Sequence, residues 1–248
     1  MSDVLIIGYG VVGHNLAEEL KKLRPHVYDK FKPECNTKED KRYRLAFVCV
    51  DTPITEDKLC HDGEVWNAIR DNDADIFVIK STVLPGVTRA IRAQTGKRVI
   101  FSPEYYGGTQ HCNNYEFNFT ILGGEKKDCI EVIQMLQSVY DGRHTFRMTD
   151  STTAELTKYM ENSYLATKVS FCCQFYEIAR KLGVEYEELR ELFVLDPRVN
   201  PSHTFVYRDH PYWDSHCLNK DVPAIAYSEE AELLLAVIEY NEKHKLND

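Results

Sequence analysis

Residues 8–13 read Gly8-Tyr9-Gly10-Val11-Val12-Gly13, a G-x-G-x-x-G turn directly behind the apolar run Val4-Leu5-Ile6-Ile7. No other feature restricts the fold of this chain as much. The pattern requires a strand before it and a helix after it, and both are written into the flanking residues. Gly8 is expected to permit a tight turn, Gly10 to let the backbone approach a diphosphate, and Gly13 to let helix and strand pack closely. Val11 and Val12 then open a helix whose first amides and partial positive charge suit an anion. A second strand pattern ends at Asp29, 16 residues after Gly13. An acid there binds ribose hydroxyls and repels a 2′-phosphate, which favours NAD over NADP as the cofactor. The plainer alternative is a βαβ unit whose glycines serve packing alone.

The first 150 residues repeat this alternation. Strands are expected at 4–8, 26–29, 45–50, 76–80, 98–101 and 119–122, and helices at 12–23, 64–70, 87–95 and 126–140. The polar segment 30–44 reads as a loop. After Asp150 the pattern becomes helical: 153–182 without Pro or Gly, stopped by Gly183, then 186–195, an irregular stretch over 196–216, and a final helix over 228–244. Leu156, Tyr159, Met160, Tyr164, Leu165 and Val169 are expected to form the apolar face of the long helix, and Met160, Cys172 and Cys173 to be core. Leu233, Leu234, Val237 and Ile238 lie on one side of the final one. The expected fold class is therefore α/β: a Rossmann-type, doubly wound, mostly parallel sheet over 1–150, followed by a smaller all-helical domain over 151–248.

Composition narrows the partners. A formal net charge of −9 over 248 residues argues against a nucleic-acid partner. With no basic leader and no apolar run long enough for a membrane span, a cytoplasmic protein with no membrane partner is expected. The eight cysteines then read as free thiols. Some adjoin histidines (Cys60-His61, His111-Cys112, His216-Cys217), yet neither CxxC nor HxxxH spacing occurs, so no metal is expected. Asn118-Phe119-Thr120 has the form of a glycosylation acceptor, which has no meaning without secretion.

Seven ordered motifs go further: GYGVVG at 8–13, VCVDTP at 48–53, STVLPGVT at 81–88, SPEY at 102–105, AELTKYMENSYLATKVSF at 154–171, DPRV at 196–199 and CLNKD at 217–221. In order and spacing the chain resembles the UDP-glucose/GDP-mannose dehydrogenase family over nearly its whole length. The resemblance implies oxidation of a nucleotide-sugar alcohol to the acid in two NAD-dependent steps, most simply UDP-glucose to UDP-glucuronate. It implies Cys217 as nucleophile, Asp221 as its companion acid/base, and Lys220 and Arg198 as substrate contacts. Lys158 and Asn162 would hold a water and the oxyanion, and also touch substrate. Glu104 would assist thioester hydrolysis. Val50, Thr52, Pro53 and Thr82 would line the cofactor, with Thr82 near the nicotinamide and the water.

The chemistry of the side chains agrees. Lys158 and Asn162 are four residues apart on a helix, so both project from one face. A cation and an amide there suit a developing oxyanion. A second hydride can leave only from a tetrahedral adduct, which a thiolate adding to an aldehyde supplies. His216 and Lys220 lie near Cys217 in sequence and favour its thiolate. Plainer readings stand beside these: Cys217 as a small buried apolar group, Lys158 as a solvated residue, Glu104 as a turn residue, Asp221 as a helix cap. His203 and Tyr207 could touch substrate or simply pack.

The chain also departs from the family pattern. A glycine-rich run before the cysteine is replaced by Pro211-Tyr212-Trp213-Asp214-Ser215-His216, whose bulk is expected to reshape the pocket. Asn219 stands where a proline or glutamine is usual, and Gly108 where some members have a glutamate. The loop 30–44 is short, and the residues end at Asp248, before the family's second α/β domain. The apolar face of the final helix would then lack cover, which predicts a homodimer through the helical domain. A dehydrogenase for another sugar nucleotide or a small alcohol, and a non-catalytic NAD-binding interaction protein, remain alternatives.

Overall fold

The computed structural model describes residues 3–106 and 117–246. His111, Cys112 and Gly108 lie outside them. By internal contacts the chain divides into two units: Met1–Thr55 with Cys60–Lys158, and Glu56–Leu59 with Tyr159–Asp248.

The first unit is built on a seven-stranded sheet. Its strands are β1 (Val4–Ile7), β2 (His26–Tyr28), β3 (Tyr43–Val48), β4 (Ala74–Ile79), β5 (Val99–Phe101), β6 (Phe119–Gly123) and β7 (Thr145–Thr149). They lie in the order β2-β1-β3-β4-β5-β6-β7, and every neighbouring pair is parallel except β5 and β6. The helices α1 (Val11–Glu19), α2 (Gly63–Asp71), α3 (Val87–Thr95) and α4 (Lys126–Leu136) alternate with the strands. Why the strands read as continuous apolar runs is visible in β3 and β4. Ala46, Val48, Phe77 and Ile79 face a core completed by Val65, Ile69 and Ile91 of α2 and α3. Leu45, Phe47, Ile76 and Val78 face the opposite core, with Leu16, Cys129 and Val132 of α1 and α4. A sheet covered on both faces needs apolar residues at every position.

The chain leaves β1 toward β2 on one side and pairs it with β3 on the other. Such a reversal of strand order opens a crevice at the carboxyl ends of the strands.

The expected helix over 12–23 stops at Glu19. A short 3₁₀ turn, Lys21–Leu23, then ends at Arg24, which is left-handed at φ 48°. Strand β7 carried no clear signal because it is an edge strand of mixed polarity, TFRMT.

The second unit is helical. The long helix α5 (Ser151–Leu182) begins in the first unit and continues into this one, followed by α6 (Tyr186–Phe193), α7 (His216–Ser228) and α8 (Glu232–Lys245). Asp150 caps α5, accepting from the Thr153 amide (2.9 Å) and hydroxyl (2.6 Å). Gly183, at φ 72°, ends it.

Three sequence expectations change here. Between the irregular stretch 196–216 and the expected final helix, where the sequence assigned no element, lies α7, which starts at His216. Its signal was masked by Pro223, which sits inside the helix without an amide to donate. The final helix starts later, at Glu232, and Leu233 is exposed. On α5 the buried side runs through Tyr159, Ala166, Cys172 and Cys173, whereas Leu156, Tyr164 and Met160 are exposed, Met160 by 75%. A core of Ala166, Trp213, Leu218, Val222, Ala226, Val237 and Ile238 holds α5, α7 and α8 together. Among the described residues no helix is long and apolar enough to cross a membrane.

Candidate active site

The glycine turn follows β1 as its sequence requires. A side chain at Gly8, where φ is +92°, would place its first carbon 2.5 Å from the Cys49 carbonyl oxygen; one at Gly13 would lie 1.9 Å from the Gly8 carbonyl oxygen. Gly10 differs: nothing lies within 4 Å of such a carbon. Gly10 is also the N-cap of α1 and offers no side chain to its first turn. The amides of that turn, Val11, Val12 and Gly13, have no intrahelical carbonyl to bond. A diphosphate fits in front of them, so the residues present suit a dinucleotide.

Asp29 follows β2 on the same side of the sheet. Its Oδ2 accepts the Tyr9 amide at 2.8 Å and its Oδ1 the Phe31 amide at 2.9 Å. Each carboxylate oxygen has room for a second donor, so ribose hydroxyls can still be accepted. Lys32 donates to the Tyr9 carbonyl at 2.6 Å and further ties this loop to the glycine turn.

The carboxyl ends of β3 and β4 are laced together. Ser81 Oγ donates to the Val50 carbonyl (2.6 Å), and Thr52 Oγ1 to the Thr82 carbonyl (2.8 Å). Pro53 accepts the His61 amide through its carbonyl (2.8 Å). Val50, Thr52, Pro53 and Thr82 are thus gathered at one sheet edge with the glycine turn. The segment from Thr82 to α3 is held by a residue the sequence reading passed over. Glu155, buried on α5, accepts the Gly86 amide (2.6 Å) and the Thr88 amide (2.8 Å). It caps α3 in place of Gly86, which has no side chain. Burial pushes its carboxyl pKa up, against the hydrogen bonds from Thr88 and Gly86.

Glu104 follows β5 and is buried. Its Oε2 accepts the Tyr106 amide at 2.8 Å, and its Oε1 stands 3.9 Å from Lys158 Nζ. The Lys158 ammonium lies 5.2 Å from the Tyr105 ring centroid. Lys158 is not a solvated residue: it is a buried cation between a carboxylate and a ring face.

In the second unit, Asn162 donates through Nδ2 to Asp221 Oδ2 at 2.6 Å, and Lys220 Nζ donates to Asp221 Oδ1 at 2.5 Å. All three side chains are buried. Cys217 is half-buried at the second position of α7, behind the N-cap Ser215, whose hydroxyl accepts the Leu218 amide at 3.2 Å. Asp221 is one turn further along, on the same face as Cys217. It is therefore an interior acid of α7, not the cap of a following helix.

Arg198 lies elsewhere on the surface. Its guanidinium pairs with Asp196 at 2.6 Å. Tyr207 stacks on His210 in the same connection. The bulky replacement before Cys217 also resolves into packing. Trp213 is only 4% exposed. Its indole N–H donates to Ser170 Oγ (3.0 Å), and its backbone amide and carbonyl pair with the Asn241 side chain (2.9 and 3.0 Å). Asn219 donates to Asp214 and accepts from Lys245. Within this run Trp213 anchors the start of α7. Among the described residues no three His, Cys, Asp or Glu side chains are placed to hold a metal.

Residues 152–243 match the model of the UDP-glucose/GDP-mannose dehydrogenase family, central domain. GDP-mannose 6-dehydrogenase of Pseudomonas syringae pv. tomato is 28% identical over 205 residues, covering 74% of this chain and 46% of that protein. UDP-N-acetyl-D-mannosamine dehydrogenase of Methanococcus maripaludis is 27% identical over 241 residues, covering 86% and 55%. The chain thus spans about half the length of these curated relatives. A solved UDP-glucose dehydrogenase from the hyperthermophilic archaeon Pyrobaculum islandicum superposes with a TM-score of 0.81 at 21% identity, over 98% of this chain and 68% of that one. At that identity the likeness is one of fold. Residues 152–243 are thus similar to the central domain of the UDP-glucose/GDP-mannose dehydrogenase family.

Proposed function

We propose that this protein oxidises the primary alcohol of a nucleotide sugar to the carboxylic acid, with NAD as cofactor. The observation that carries the reading is the buried Asp221 on α7, the helix whose first turn bears Cys217, bonded to Lys220 of the same helix and to Asn162 of α5. A buried carboxylate bonded to an amide and an ammonium is costly to maintain for packing alone. The simplest substrate is UDP-glucose, giving UDP-glucuronate; GDP-mannose and UDP-N-acetylmannosamine, named in the relatives, are the alternatives within the class.

The roles follow from chemistry. NAD, when bound, accepts a hydride in each of the two oxidations. Gly8, Gly10, Val11, Val12 and Gly13 hold its diphosphate, Asp29 its ribose, and Val50, Thr52, Pro53 and Thr82 its other half. In the first oxidation Asp221 takes the alcohol proton and releases it to solvent, while Lys158 and Asn162 stabilise the alkoxide that forms. Asp221 takes the Cys217 proton, and the thiolate adds to the aldehyde carbon. The resulting thiohemiacetal has a C–H bond to give up, and its oxidation leaves a thioester on Cys217. Glu104 removes a proton from water; the water oxygen adds to the thioester carbonyl, and the C–S bond breaks. The sulfur leaves as thiolate and recovers the proton from Asp221. Lys220 and Arg198 serve the substrate, Arg198 from its surface connection.

The exposed residues Met160, Tyr164, Phe171, Phe175 and Leu182 form an apolar stripe along α5. That stripe supports a homodimer through the helical part, which light scattering after size exclusion tests. The function is tested by NADH formation from UDP-glucose, GDP-mannose and UDP-N-acetylmannosamine. Two NADH per acid are expected with one of them, and none with Cys217→Ala carried to the acid. No turnover on any of the three sinks the reading.

A further inference from the structure

Lys80 directly follows β4 and is half-buried. The ammonium donates to Ser102 Oγ at 3.1 Å and to the Pro103 carbonyl at 3.4 Å. Both acceptors are neutral, and among the described residues no carboxylate lies within ion-pair distance of it. Burial pushes the Lys80 pKa down; Glu19, Cys49 and Glu104 pull it the other way, and Lys158 adds to the depression. For packing alone this position calls for Met or Leu, which fill the same volume without desolvating a charge. The acceptors of Lys80 are the two residues immediately before Glu104.

The far side of Glu104 is pinned as well. Tyr106 donates its amide to Glu104 Oε2, and its hydroxyl to the carboxylate of Glu19, which also accepts the Tyr140 hydroxyl. Glu104 is therefore carried on a short span tied at one end by a lysine and at the other by a tyrosine–glutamate–tyrosine bridge. We propose that Lys80 is a positioning residue for Glu104: by holding Ser102 and Pro103 it fixes the chain that aims the Glu104 carboxylate at the hydrolytic water. This rests on the reading of Glu104 in the proposed function.

The test uses Lys80→Met, which keeps the stem and removes the charge, and Lys80→Arg, which keeps a donor. Misplacing a catalytic group by about 1 Å slows its step on the order of 100-fold. Lys80→Met should therefore slow thioester hydrolysis by about 10- to 100-fold. Intact-mass spectrometry should then show an acyl adduct accumulating on Cys217, with a fast burst of NADH before the slow phase. The apparent KM for the nucleotide sugar should stay about where it was, and Lys80→Arg should recover part of the loss. Parallel loss in burst and slow phases, or no change in either, overturns the proposal.

A second measurement does not depend on turnover. Amide hydrogen exchange over 102–106 should quicken about tenfold or more in Lys80→Met, with β1 and β3 unchanged. Unaltered exchange there overturns positioning even if the wild-type protein turns over none of the sugars, an outcome that would separately refute the function. Should Lys80→Met fail to fold, Ser102→Ala removes one of the two acceptors. It must then show the same local exchange change at smaller amplitude, or the proposal falls.

Discussion

Trp213 offers the sharpest test of how the region before Cys217 is built. The side chain packs into the core of the second unit, and both its indole N–H and its backbone are hydrogen-bonded within that core. Removing a buried aromatic of this size costs about 3–5 kcal/mol, so Trp213→Ala should destabilise the helical unit by that amount. Trp213→Phe keeps most of the ring but leaves Ser170 Oγ without its donor, a loss of about 1–2 kcal/mol. The assay is urea unfolding followed by far-UV circular dichroism. With a slope of about 2 kcal/mol/M, the two variants should lower the helical midpoint by roughly 1.5–2.5 M and 0.5–1 M. The chain has two tryptophans, so in both variants Trp66 on α2 remains as a fluorescent check that the sheet unit is folded before urea is added. A midpoint shift under about 0.5 M for Trp213→Ala would mean less than about 1 kcal/mol. Trp213 would then not be an anchor, and its bulk would be free to line a cavity as the sequence suggested.

Other consequences can be checked in the same preparation. Gly10→Ala should melt like the wild-type protein, since nothing crowds its first carbon, but should lose most of the thermal shift that NAD gives. Gly13→Ala should instead lower the melting temperature, because a carbon 1.9 Å from the Gly8 carbonyl forces the backbone apart at about 1–3 kcal/mol. Thr153, through its hydroxyl and then its amide, holds the Asp150 carboxyl below its ordinary range. The cap's contribution is thus present above about pH 4 and is lost as pH falls through the depressed folded value. Asp150→Ala should cost about 1 kcal/mol at neutral pH, with the gap closing in acid, as paired urea melts across pH will show. Asp221→Asn keeps the shape but not the base. It should slow turnover about 100-fold or more with an intact fold, measured by NADH formation and circular dichroism.

Much was legible in the residues themselves, because the signals involved are local. A turn that needs Gly8 and Gly13 can be read from six letters, since steric exclusion at those two positions depends only on nearby backbone. The strands of the sheet centre are plain for a similar reason: burial on both faces leaves only apolar residues. Asp29, Thr82, Glu104, Lys158, Asn162 and Asp221 could be named from motif and spacing. What spacing could not convey is which partners they meet. Glu155 reaching the start of α3, and Lys80 reaching Ser102, join residues far apart in the chain, and no periodicity records such a pairing. The helix that begins at His216 was hidden because Pro223 reads as a breaker, while the capping bond from Ser215 and the packing of Trp213, Leu218 and Val222 outweigh that local penalty. The cysteine at 217 was therefore visible as a letter, but its place in the first turn of a helix, one turn before a buried Asp221 bonded to Asn162, was decided by tertiary packing: a helix of marginal propensity forms where burying its apolar face outweighs what its own sequence disfavours.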